Sequence, residues 1–212
     1  MNENLQFRIA CRNDACELAR LHYNSALKQP GGFMHLLGKK FLQAYYEILL
    51  DEGSSTIVCA YKHENRLVGF ASGSIRAESR IAALKKHRLK LLLRSVLTLI
   101  SNPKLITKIR ARQNNRSADD HNGFVLTSGS HMEYWAWDSD EGGGSIVLFK
   151  KWLSLMQLLG ITKVSGEVDK VNSEILKMHQ LLGALVKKEF RTPDGRSRNI
   201  IEYNLSKKTK SV

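Results

Sequence analysis

Apolar and polar residues alternate in QFRIA at 6–10, and the run stops at Arg12 and Asn13, which predicts a short first strand. A helix is expected at once. Asn13 suits its N-cap, Asp14 and Glu17 fall in the first turn, and Leu18, Leu21 and Ala26 recur near a helical period until Pro30 and Gly31 end it. A second helix carries Leu37, Phe41, Leu42, Tyr45, Ile48 and Leu49 on one stripe before DEGSS. STIVCAY at 55–61 and RLVGFASGSI at 66–75, joined by the polar KHEN, read as a hairpin. From Ala77 to about Asn115 the pattern is helical and basic, with Pro103 separating helices near 78–100 and 103–112.

The remainder returns to mixed order. A strand is predicted near 130–138, and Gly142, Gly143 and Gly144 open a helix that runs to Gly160. ITKVSGEV is a strand, Asn172 to Leu182 a helix stopped by Gly183, and ALVKKEF with SRNIIEYNL closes the chain as a hairpin around TPDG. Strict alternation puts Glu133, Trp135 and Trp137 on one face of their strand and Met132, Tyr134 and Ala136 on the other. A mixed α/β fold with a strand, a glycine turn and a helix at its centre places a ligand at that turn.

A chain of 212 residues, 42% hydrophobic, is long enough to bury a sizeable core. One domain is expected over 1–206, including the helical insertion at 77–120, with 207–212 as a loose basic tail. LKLLLRSVLTLI at 89–100 is broken by Lys90 and Arg94 and is too short to span a bilayer, and the N-terminus shows no secretory pattern, so a cytoplasmic address is expected. Cys11, Cys16 and Cys59 have no CxxC spacing and read as reduced, mostly buried thiols, with neither a disulfide framework nor a metal site.

Three glycines before a helix let backbone N–H groups converge on an anion, and the helix start adds partial positive charge. The same turn also serves plain strand-to-helix packing, so both readings stand. A P-loop is excluded, because no Gly-Lys-Ser/Thr follows the glycines.

The order of elements, the strand HMEYWAWD, the turn EGGG and the string VNSEILKMHQLLGA resemble the GNAT superfamily of acyl-CoA N-acetyltransferases. In that family the helix after the fifth strand carries Asn, then Tyr at plus seven and Gly and Phe at plus eleven and twelve. Here Asn172 is followed by His179, Gly183 and Ala184. The resemblance implies a mixed, mostly antiparallel sheet flanked by helices, with the insertion between the third and fourth strands. It also implies acetyl-CoA as co-substrate, its pyrophosphate held by amides of Gly142, Gly143, Gly144 and Ser145 and its pantetheine by main-chain groups of Ala136 and Trp137. The family's Q/R-x-x-G-x-G/A pattern is partly met. With Gly142 and Gly144 as the small residues, Ser139 leads, and Val147 and Leu148 turn the helix's apolar face inward.

The chemistry implied is direct attack of an amine, on a small molecule or amino-sugar, on the thioester. Such an amine is protonated at neutral pH and needs a base, and the leaving thiolate gains from an acid. Glu133 is the candidate base, with Asp138 and His131 in reserve. His179, at the position of the family's Tyr, and Tyr134 are the candidate acids. Each has a plainer reading: Glu133 as an edge carboxylate, His179 as a helix-surface histidine, and Trp135, Trp137 and Trp152 as core.

Charge adds one feature. Of 33 Lys and Arg, 12 lie between Arg76 and Arg116 against one acid, Glu78, so eleven of the thirteen net positive charges sit there. Such a segment suits an anionic membrane surface through 77–112, on the inner face of the membrane, or packs as an ordinary helical face. Nucleic-acid binding is the rival class, although no helix-turn-helix, zinc finger or RNP pattern accompanies the charge. A GNAT fold that binds acyl-CoA without turnover is a third reading. The acceptor and the assembly state, a homodimer included, are left open by the sequence.

Overall fold

Seven strands form one sheet in the order β1-β2-β3-β4-β5-β7-β6 in the computed structural model, which describes residues 5–28, 34–62, 65–107, 127–191 and 195–206. The strands are β1 (Gln6–Ile9), β2 (Thr56–Lys62), β3 (Arg66–Ser74), β4 (His131–Trp137), β5 (Lys163–Asp169), β6 (Leu185–Arg191) and β7 (Ser197–Asn204). All neighbours are antiparallel except β4 and β5. The helices are α1 (Ala15–Leu27), α2 (Lys39–Asp51), α3 (Ala77–Lys86), α4 (Arg88–Ser101), α5 (Ser145–Leu158) and α6 (Ser173–Leu181). The expected mixed sheet, with helices between its third and fourth strands, is therefore present.

Period-two alternation divides β2 between two cores, and β3 is divided likewise across a bulge between Leu67 and Gly69. Ile57, Cys59, Tyr61, Leu67 and Phe70 pack with Leu18 and Leu21 of α1 and Leu42, Tyr46 and Leu49 of α2. Val58, Ala60, Val68 and Ala71 turn the other way, onto Leu148, Phe149, Trp152 and Met156 of α5. Trp152 is fully buried there, as core packing predicts.

Several expectations need correction. Asn13 caps nothing. Arg12–Asp14 is a single 3-10 turn, and the Asp14 carboxylate accepts the Cys11 N–H at 2.7 Å. Arg8 grips the same carboxylate in fork fashion at 2.7 and 2.7 Å, and the Tyr61 hydroxyl donates to it at 2.7 Å. Burial pushes the Asp14 carboxyl up, yet Arg8, Cys11 N–H and Tyr61 outweigh it and hold it well below the usual carboxylate range. Cys11 and Cys16 are exposed and only Cys59 is buried, so the thiols are not mostly buried. The basic segment breaks at His87, which ends α3 and starts α4, and at this corner Lys86 and His87 both reach Glu52 just after α2, at 2.8 and 2.7 Å. The helix expected over 103–112 shows one turn at 104–107, and its remainder lies outside the described residues, as does the tail at 207–212.

Candidate active site

β4 and β5 run parallel but pair only at His131 with Ser165, whose N–H bonds the Ser130 carbonyl at 3.0 Å. Among the described residues no further pairing joins them, so their C-terminal ends face one another unbonded. The Asp138 N–H bonds Val68 C=O at 2.8 Å on the β3 side. In an antiparallel ladder bonded and non-bonded pairs alternate, so Ala136 and Tyr134 spend their main-chain groups on β3, while Trp135 and Trp137 turn theirs toward β5. Of the two residues expected to offer backbone groups to a ligand, Trp137 has its main-chain groups on the open β5 side and Ala136 has them on the β3 side. Trp135, not singled out from sequence, shares the Trp137 orientation by the phase of the ladder.

At the far end of β4 the chain turns into α5. The Trp137 indole donates to Glu141 C=O at 2.9 Å, and Gly144, at φ 91°, fits against that ring, where a Cβ would lie 2.7 Å from Trp137 Cη2. Gly144 is thus required by packing and by backbone. Gly142 and Gly143 face open space, since a Cβ on either meets no atom within 4 Å. The N–H groups of Gly142 to Val147 have no acceptor among the described residues. They lie at and just before the positive end of α5. The negative charge of Glu141 beside this turn is offset by Lys62 at 2.6 Å and by Arg66. Leu148 turns inward as expected, whereas Val147 is 49% exposed.

Glu133 departs from strict alternation. Ser72 pairs with Tyr134 but Gly73 with Met132, so Glu133 is an extra residue in β4. This bulge turns it to the same face as Tyr134, away from Trp135 and Trp137. Its carboxylate lies 2.9 Å from Arg80 Nε of α3 and accepts from Tyr45 and Ser55 hydroxyls at 3.4 and 3.4 Å. Burial pushes the Glu133 carboxyl up, with Arg80 and the hydroxyls pulling it partly back. Arg80 also lies 3.2 Å from His131 Nε2, and burial and then Arg80 bring that imidazole down to about 4. Arg80, Tyr45 and Ser55 were not foreseen. The available signal was the spacing of Ala77, Arg80 and Ala83, which puts a cation on a helix face whose two alanines are buried.

Tyr134 stacks on His22 at 3.7 Å and shares a hydrogen bond with Ser25 at 3.2 Å. His22, bonded to Tyr46 at 2.7 Å, is lowered by burial to about 3 and stays neutral. His179 is not a surface residue: it is 2% exposed, its Nδ1 lies 2.7 Å from the Tyr203 hydroxyl, and burial lowers it to about 4. It lies on the α5 face, 5.6 Å from the Trp135 ring, so Glu133 and His179 flank β4 from opposite faces. The Trp135 Nε1 donor is buried without a partner among the described residues. Asn172 sits at the start of α6, its N–H bonded to Asp169 C=O at 2.9 Å and its side chain making no cap bond. Asp138 faces Arg66 at 3.6 Å.

No protein-family profile and no curated protein matches the sequence. Solved structures do. A Desulfovibrio desulfuricans protein assigned to the GNAT acetyltransferase family superposes with a TM-score of 0.59 at 12% identity, covering 96% of this chain and 100% of that one. YncA of Salmonella typhimurium, an assigned acetyltransferase solved with its cofactor acetyl-CoA, gives 0.58 at 11% over 99% and 98%. A dodecameric spermidine N-acetyltransferase of Vibrio cholerae gives 0.56 at 11% over 99% and 98%. With β4 and β5 parting beside a glycine turn and these structures alike along their whole length, the chain has the fold of the GNAT acetyltransferases.

Proposed function

We propose that this chain is an N-acetyltransferase that moves an acetyl group from acetyl-CoA to a primary amine of a small molecule or amino-sugar, both bound at once. The observation that carries the reading is the unpaired stretch between β4 and β5, which opens onto six backbone N–H groups without acceptors at the start of α5. These groups fit a diphosphate in charge, and Gly142 and Gly143 leave it room. The main-chain edges of Trp135 and Trp137 and the orphaned Trp135 Nε1 fit the amides of a pantetheine arm. The spermidine enzyme of the same fold supports a small amine as acceptor.

Acetyl-CoA supplies a thioester whose carbonyl carbon an amine nitrogen attacks as the carbon–sulfur bond breaks. An amine near pKa ~10 arrives as ammonium, and Glu133, raised by burial, is the group placed to receive its proton. Arg80 and Tyr45 fix the direction of that carboxylate. Tyr134, its hydroxyl held by Ser25, and the neutral His179 are the candidate proton donors to the leaving thiolate. Asn172 stands at the start of α6 as a further co-substrate contact.

Titration calorimetry with acetyl-CoA, followed by thiol release against an amine panel that includes spermidine and amino-sugars, tests the reading. Micromolar binding with release is expected, and Glu133→Gln is expected to lower release by ~10² or more. Absence of binding sinks the proposal. Binding without release selects a second reading, a GNAT fold that holds acyl-CoA without turnover, which the Arg80 pair favours by making Glu133 a weaker base.

A further inference from the structure

The helix α4 packs with its polar edge inward. Ser95 is buried, Lys90 reaches Glu47 of α2 at 2.8 Å, and Thr98 Oγ1 lies against Gly38. The apolar residues of the insertion divide between two sides: Leu84 and Leu91 pack on the core beneath α2, while Leu92, Leu97 and Ile100 point outward. With Leu89 and Leu93 they form an outer stripe exposed by 69, 53, 73, 71 and 73% for Leu89, Leu92, Leu93, Leu97 and Ile100. Their spacing keeps them on one side of a 14-residue helix, and among the described residues nothing covers them. Arg88 borders the stripe on one side and Arg94 on the other, both exposed and both without an acidic partner among the described residues, and α4 contains no acid.

We propose that α4 is a docking face for an anionic lipid surface, lying in the plane of the bilayer with Leu93 and Leu97 in the acyl boundary and Arg88 and Arg94 at the headgroups. No described helix is long and apolar enough to cross a membrane, so the contact is interfacial. The charge pattern selects this occupant. A second copy apposed on α4 would bring two segments of 12 cations and one acid together. A nucleic acid would answer the charge but offers no apolar phase to five exposed side chains. A bilayer carrying acidic headgroups meets both. This inference goes beyond acetyl transfer and is independent of it.

The test is co-sedimentation of the full chain with vesicles of phosphatidylcholine and phosphatidylglycerol, against pure phosphatidylcholine, at low and high salt. Binding is expected only with phosphatidylglycerol and is expected to weaken with salt. Leu93→Glu combined with Leu97→Glu abolishes it without changing the thermal midpoint, because both side chains already face solvent. The milder pair Arg88→Gln and Arg94→Gln weakens it about 30-fold, at about fivefold per basic residue. Failure to bind the anionic vesicles, or equal binding by the leucine variant, overturns the proposal. So does a dimer that the leucine variant converts to monomer without any vesicle binding, which assigns the stripe to a second copy. Salt-sensitive retention on duplex DNA without vesicle binding overturns it in favour of nucleic acid.

Discussion

Replacing Arg80 by Met leaves Glu133 buried without its counter-charge. The two side chains are only 17% and 7% exposed and their charged atoms are 2.9 Å apart. Removing one partner of a buried pair costs about 3–5 kcal/mol. The lower end applies here, about 3 kcal/mol at neutral pH, because Ser55 and Tyr45 still donate to the carboxylate and because it can take up a proton. Proton uptake makes the loss depend on pH, and its sign is fixed. Without Arg80 the folded carboxyl rises further above its usual 4.5, so the folded chain binds more protons than the unfolded one between that value and the new one. Stability of the variant then increases as pH falls through this window, at up to about 1.4 kcal/mol per unit. Urea denaturation near pH ~7.5 and ~5.5 reads the difference directly. The loss should shrink at the lower pH, and adding Glu133→Gln to Arg80→Met should restore more than half of it. A single variant within ~0.5 kcal/mol of the parent at both values would refute the pair as the element joining α3 to β4.

Gly142→Val places a branched side chain in the open space before α5 and should weaken acetyl-CoA binding at least tenfold in calorimetry with an unchanged melting midpoint, whereas full affinity would move the diphosphate elsewhere. Asp14→Asn removes the acceptor shared by Arg8, Tyr61 and Cys11 and should cost about 2 kcal/mol in urea denaturation at neutral pH. Since the Asp14 carboxyl is lowered, that contribution fades as pH drops below the usual carboxylate range, and a constant difference down to acid pH would contradict it. His22, His131 and His179 are held neutral with pKa values of about 3, 4 and 4, so the unfolded chain binds more protons below pH ~6.5. Each should subtract stability at about 1 kcal/mol per unit between pH 6 and 5, measurable in denaturation curves, and a flat profile there would mean these imidazoles are not buried neutral.

The elements that were legible in the sequence are those whose signal is local. The apolar runs of β2 and β3 around the polar KHEN, the glycines before α5 and Gly183 after α6 all report on neighbours one to four residues away, and the structure bears out each boundary closely. What stayed hidden is set by distant partners. Asn13 looked like a cap, but Asp14 won because Arg8 and Tyr61 come to it across the first two strands. The basic helix breaks at His87, where the side chain meets Glu52 just after α2, a partner that lies 35 residues away in sequence. The bulge at Glu133 carries no sequence mark at all, since an extra residue in one strand is defined only by its opposite number, here the step from Ser72 to Gly73. That bulge matters most for the site. It moves the candidate base from the tryptophan face to the face where the insertion arrives, and it brings a cation from α3 onto a carboxylate of β4. The insertion is therefore built into the candidate centre by Arg80, while its second helix turns leucines outward. A single element thus joins the surface that would meet lipid to the group that would take a proton.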